Sequence, residues 1–153
     1  MYPSIGHSLE YTLFKGNLKE KELMNMNIQL IRNATLVVEY TGKKFLIDPL
    51  LAEKGVYPPL PSIRQDNSNN PVVSLPTSID TIINNVDAVI LTHLHLDHWD
   101  NTAKEALPKD IKMFVQNEED AAEVRNDGFQ NIEVLQEVTV FEGITLSKTR
   151  GEH

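Results

Sequence analysis

The run Val86-Asp87-Ala88-Val89-Ile90-Leu91 passes without a break into Thr92-His93-Leu94-His95-Leu96-Asp97-His98-Trp99-Asp100. A short, mostly apolar run of this kind predicts a strand buried on both faces. The polar residues that follow must then lie at its carboxyl end, where α/β folds commonly place ligands. The junction therefore sets both the class of fold and the place of a functional site.

The flanking sequence agrees with a layered α/β plan. Asn27-Ile28-Gln29-Leu30-Ile31 alternates in period two, and Ala34 to Tyr40 is rich in β-branched residues. Thr41-Gly42-Lys43 is a turn signal, and Lys44 to Asp48 returns as a strand, which completes a β-meander. Thr77 or Ser78 can cap a short helix through Asn84. After the histidines the pattern alternates: a helix from Asp100 to Leu107 ended by Pro108, a strand over Ile111–Val115, and a helix from Glu118 to Asp127 capped by Asn117 and stopped at Gly128. A strand over Ile132–Leu135 follows, then a hairpin of Val138–Phe141 and Ile144–Lys148 around Glu142-Gly143. A meander followed by alternating helices and strands is an α/β layered fold. Residues 1–25 are expected to be an extension, marked by Gly16-Asn17 and the charged run Lys19 to Glu22; residues 26–153 form the domain. Between Pro49 and Pro76 lies a Pro-rich, loop-like segment, expected to act as a functional lid or a mobile cover for the cleft.

Three of the five histidines fall within six residues. In extended backbone, residues two apart share a face, so His93 and His95 can converge on one cation. Asp97 and His98 come where the chain must bend toward the next helix, and can turn to a second point nearby. Leu94 and Leu96 would anchor the loop while the polar side chains face the cleft. Three neighbouring imidazoles would repel one another if protonated and would be costly to bury unpaired, which favours a metal. Imidazole plus carboxylate suits zinc best, with iron and manganese also compatible.

The chain of 153 residues has no cysteine, so thiolate ligands and disulfides are excluded and a cytoplasmic location is the default expectation. Its net charge of -8, without a Lys/Arg cluster, argues against nucleic acid as partner. No apolar run reaches the length of a membrane span, and a small-molecule substrate is the expected partner.

Thr92-His93-x-His95-x-Asp97-His98 resembles the HxHxDH signature of the metallo-β-lactamase superfamily. The run Val86–Leu91 and the trailing Trp99-Asp100 look like its ascorbate phosphate lactonase-like hydrolases, and the resemblance extends over roughly Ile28 to the end, including Leu46-Ile47-Asp48-Pro49. It implies an αββα metallo-β-lactamase-like sandwich, of which this chain would be the N-terminal half, incomplete at its C-terminus. It also implies up to two divalent ions, with His93 and His95 on the first and Asp97 and His98 on the second. A third histidine for the first metal often comes as Gly-x-His after a later strand. Gly151-Glu152-His153 has that form, although it also matches a ragged terminus or a tag remnant. Asp48 is either an acceptor for a ligand imidazole's second N–H or an ordinary turn starter before proline. Asp100 is expected as a helix N-cap, Trp99 as packing, and His7 as a surface residue.

The implied activity is that of a metal-dependent hydrolase, with metal-activated water attacking a lactone or ester bond and Asp97 orienting that water and passing on a proton. Two alternatives stand beside it: a phosphodiesterase of the same superfamily, and a catalytically incomplete metal-binding fragment or partner module. The resemblance also implies a bridging Asp and a last His from the second half of the sandwich, and neither is in this sequence. A half-sandwich would leave an apolar sheet face without its facing sheet. The expected outcome is pairing, with another copy in a homo-oligomer or with a missing C-terminal half.

Overall fold

A computed structural model describes residues 26–59 and 68–148. The expected extension, the tip of the Pro-rich segment and Thr149 to His153 lie outside the described residues. Among the described residues no helix is long and apolar enough to cross a membrane.

Six strands form one mixed sheet in the order β1-β2-β3-β4-β5-β6. Strands β1 (Met26–Arg32), β2 (Thr35–Tyr40) and β3 (Lys43–Ile47) make the antiparallel meander. The turn between β2 and β3 is Thr41-Gly42, both at positive φ (48° and 77°), the conformation a two-residue hairpin loop needs to match strand twist. From β3 onward the pairing is parallel, through β4 (Ala88–Ile90), β5 (Lys112–Val115) and β6 (Ile132–Val134).

Parallel neighbours need crossovers, and a helix lies in each of the three. Helix α1 (Ile79–Ile83), between β3 and β4, is capped by Ser78, whose side chain accepts from the Thr81 N–H. Helix α2 (Asn101–Ala106) is capped by Asp100, and α3 (Glu118–Asn126) by Asn117. Gly128, at φ 93°, takes the left-handed position that ends α3. The hairpin of β7 (Val138–Phe141) and β8 (Ile144–Ser147) is a separate two-stranded sheet turning at Glu142-Gly143.

Alternation along the strands sends successive residues to opposite faces. On one face Val37, Leu46, Val89, Met113 and Val115 bury against Ile82, Ala103, Leu107, Ala121 and Val124 of the helical layer. On the other, Phe45, Ala88 and Phe114 bury against Ile144, with Phe141 and Leu146 packed alongside. The Phe141 ring meets Phe45 and Phe114 nearly edge-on, at centroid distances of 5.9 and 5.4 Å. The hairpin therefore begins a second layer over β3, β4 and β5.

That layer stops short of the meander's edge. Met26, Ile28 and Leu30 of β1 pair with Tyr40, Val38 and Leu36, so they continue the hairpin-facing side of the sheet. They are 56–64% exposed. Among the described residues, the apolar face expected from the sequence is thus covered in part by the β7–β8 hairpin and exposed along β1.

The Pro-rich segment is held firmly at its described ends. Arg32, 3% exposed, donates to the carbonyls of Leu50, Ala52 and Val73, so one guanidinium ties both feet of the segment to β1. Farther out, Tyr57 and Asn70 exchange backbone hydrogen bonds of 2.7 and 2.8 Å, and the Gly55 N–H donates to the Pro71 carbonyl. The described part is a short two-stranded arm with fixed feet. The expected lid or mobile cover is, in these residues, a braced wall.

Candidate metal centre

The parallel pairing of β3 and β4 sets Ile47 beside Ile90, so Asp48 and Thr92 emerge next to each other at the carboxyl end of the sheet. Asp48 sits at φ 45°, a left-handed conformation that only a web of bonds holds in place for a residue other than glycine. Its N–H donates to the Ile90 carbonyl at 3.0 Å, and its Oδ1 accepts from the Thr92 N–H at 2.7 Å. Oδ2 accepts from the Thr92 hydroxyl at 2.6 Å and from His98 Nδ1 at 2.9 Å.

These contacts decide two tautomers. A carboxylate only accepts, so His98 Nδ1 carries the proton and the ring's lone pair is on Nε2. The Thr92 hydroxyl has one proton, given to Asp48, so its oxygen accepts from His93 Nδ1, 3.2 Å away. His93 is thereby also set with its lone pair on Nε2. One buried aspartate, 3% exposed, thus orients one imidazole directly and another through a threonine.

Past Thr92 the loop folds back on itself: the N–H groups of His98 and Trp99 both donate to the His95 carbonyl, at 2.8 and 2.9 Å. This turn brings the His93 and His98 rings to a centroid distance of 3.7 Å at a tilt of 44° and leaves His95 edge-on to His93 at 4.6 Å. His98 Nε2 lies 3.6 Å from an Asp97 oxygen. Ligand atoms of His93, Asp97 and His98 all fall within 4.8 Å of one another, a spacing one cation can span.

The structure thus brings His93 together with Asp97 and His98, and sets His95 at the exposed side of the group. His153 lies outside the described residues. The Lys148 ammonium donates to the Gln116 carbonyl at 2.5 Å, and the Gln116 side chain donates to the Thr92 carbonyl. The end of β8 is therefore tied to the residue that precedes His93.

Burial, then the neighbouring His98 and His95 rings, hold the His93 imidazole below its ordinary pKa. A neutral ring is the form that binds metal. With two lone pairs set by hydrogen bonds and a carboxylate beside them, the donor set fits a divalent ion such as zinc. On α3, Asp120 is pushed up by burial and by Glu123 and Glu119, and the field of His93 opposes that shift.

Asp100, fully buried, closes the loop. Its Oδ1 accepts from the Ala103 N–H at 2.8 Å as the cap of α2, and its Oδ2 accepts from the Ala52 N–H at 2.7 Å. The Tyr57 hydroxyl reaches the same Oδ2 at 3.4 Å. Trp99 packs as expected, 2% exposed, with its ring against Phe129. Sequence reasoning gave no role to Thr92, Tyr57, Arg32 or Asp120. Only Thr92 carried a signal, its place immediately before the first histidine; the other three depend on long-range contacts.

Comparison with known proteins extends the picture. The family described as the metallo-beta-lactamase superfamily matches residues 28–123. The UPF0173 protein YddR of Bacillus subtilis (strain 168) is 66% identical over 128 residues, covering 84% of this chain and 50% of that protein. The structure of an isothiocyanate hydrolase from Delia radicum gut bacteria is similar at 49% identity and a TM-score of 0.70, over 75% of this chain and 44% of that one. A possible metal-dependent hydrolase from Veillonella parvula DSM 2008 is similar at 41% identity and a TM-score of 0.75, over 80% and 46% respectively. The chain spans about half the length of the curated relative it matches.

Proposed function

This chain belongs to the metallo-beta-lactamase superfamily, and on that premise we propose that it serves a metal-dependent hydrolase acting on an electrophilic carbon of lactone or ester type. The observation that carries the reading is the Asp48 web, which presents the Nε2 lone pairs of His93 and His98 beside the Asp97 carboxylate. In the proposed assignment His93, His95, Asp97 and His98 hold one or two ions, with zinc as the ion best matched to these donors and His153 as a further ligand. A bound divalent ion supplies an activated water and polarises the scissile group.

The chain's own residues do the rest. Asp48 and Thr92 keep two imidazoles in their binding tautomers. Asp97, about one-third exposed, has a carboxylate oxygen on the open side of the group, where it accepts a proton from the attacking water and returns it to the leaving group. An isothiocyanate carbon is a second substrate of the same kind, favoured by the 49% identity to a protein described as an isothiocyanate hydrolase.

The open face along β1 supports a partner. A second copy or a complementary half, presenting a facing sheet to Met26, Ile28 and Leu30, would cover them. A metal-binding but catalytically incomplete unit is the alternative reading. Metal analysis, mass in solution and turnover separate the two. Bound zinc together with hydrolysis of a γ-lactone or an alkyl isothiocyanate, lost in Asp97→Ala, supports the hydrolase. Zinc bound with no turnover of either substrate supports the incomplete unit.

A further inference from the structure

We propose that Tyr57 and Leu96, brought together beside Asp97, form the specificity wall of this site and take an apolar substituent on an uncharged substrate. The proposal rests on the hydrolase reading and names the substrate class within it.

Leu50, Tyr57, Asn70, Leu96 and Asp97 border one small cavity, so the arm of the Pro-rich segment abuts the ligand loop at the carboxylate assigned to proton transfer. The gap itself, about 10 Å³, holds no more than a water. A substrate therefore meets the outer surface of this junction rather than its interior. On that surface Leu96 is 39% exposed, an apolar side chain within a loop of metal-ligand residues. Val56 and Val72, which adjoin Tyr57 and Pro71 on the arm, are 57% and 44% exposed.

The wall is rigid, as discrimination requires. Tyr57 is fixed three times: by two backbone bonds to Asn70, and through its hydroxyl to the fully buried Asp100. Arg32 holds both feet of the arm, and Asp100 caps the helix that follows the ligand loop. Arm and ligands thus share one buried anchor, and the distance between Tyr57 and Asp97 cannot drift freely.

Charge selects the substituent. Among the described residues bordering the junction there is no Lys or Arg, and Leu96 and the Tyr57 ring present apolar surface there. A charged substituent placed against them would lose hydration with no described Lys or Arg bordering the junction to pair it. An alkyl or aryl group instead buries surface against Leu96 and the Tyr57 ring.

The test is calorimetric binding of n-alkyl hydroxamic acids, acetyl to hexanoyl, to the zinc-loaded protein. Affinity is expected to rise with chain length, at most about fourfold per methylene. Leu96→Asn and Tyr57→Ala should flatten the series, Tyr57→Phe should keep it, and a succinyl hydroxamate should bind worse than the butanoyl one. A length-independent series, no binding at any length, or a slope unchanged in Leu96→Asn overturns the wall. Zinc-loaded protein that shows the slope but turns over neither lactones nor isothiocyanates overturns the hydrolase reading and leaves the wall standing.

Discussion

Asp48 and His98 are fifty positions apart in sequence and 2.9 Å apart in space, carboxylate oxygen to Nδ1. The strand end that leaves the meander and the loop that carries the ligands are joined by this bond, and the chemistry expected of the site depends on its direction.

Asp48→Asn keeps the shape and halves the accepting capacity. An amide that turns its NH₂ toward His98 or Thr92 leaves one ring in the wrong tautomer. Zinc affinity should fall by about 10- to 100-fold, as for other partners of ligand histidines. Competition against a fluorescent chelator measures it, and an unchanged affinity would show that the bond does not orient a ligand.

Thr92→Val removes the hydroxyl between His93 and Asp48 while conserving volume. A smaller loss than in Asp48→Asn is expected, because His98 keeps its own bond. Thr92→Ser should restore affinity. If serine fails where threonine succeeds, the methyl group rather than the relay is what matters.

Asp100→Ala strips the cap from α2, the Ala52 contact and the charge nearest the buried Arg32. Losing a cap costs about 1 kcal/mol. Leaving the Ala52 N–H buried without its acceptor costs about 1–3 kcal/mol more. Urea unfolding should show a loss of several kcal/mol, with Asp100→Asn intermediate because it preserves the cap. A loss below about 1 kcal/mol would mean that the Ala52 contact adds nothing beyond the cap.

Burial, followed by the field and hydrogen bond of Asp100, pushes the Tyr57 phenol above the ordinary tyrosine range. The folded state then holds this proton more tightly than the unfolded chain does. Its contribution to stability is complete below about pH 10 and is lost as pH rises through the folded value. Ultraviolet titration should show one of the four tyrosines ionising late, and Tyr57→Phe should abolish that phase. A Tyr57→Phe curve that keeps the late phase would assign it to another tyrosine.

Much of the fold was legible because period-two and helical patterns are local. The meander, the caps at Ser78, Asp100 and Asn117, and the Glu142-Gly143 hairpin all follow from residues close in sequence. Strand ends were less legible: β4 forms only over Ala88–Ile90, because Val86 and Asp87 are engaged at the sheet's lower rim, with Asp87 accepting from the Lys44 N–H. The histidine cluster was legible from spacing alone, whereas the grouping of His93 with Asp97 and His98 depends on a turn closed by the His95 carbonyl. Arg32 was invisible for a different reason. Its partners are backbone carbonyls, and a carbonyl leaves no trace in residue identity.

The open strand β1 has a consequence for the protein in solution. Among the described residues it is an edge strand whose alternate residues, Met26, Ile28 and Leu30, are apolar and exposed, a template for irregular growth. What keeps separate molecules apart is mutual repulsion from a net charge of -8. That repulsion reaches about 30 Å at 0.01 M salt and about 3 Å at 1 M. Dilute buffer should therefore disperse the chain, and concentrated salt, by screening the charge while strengthening apolar contact, should promote its association.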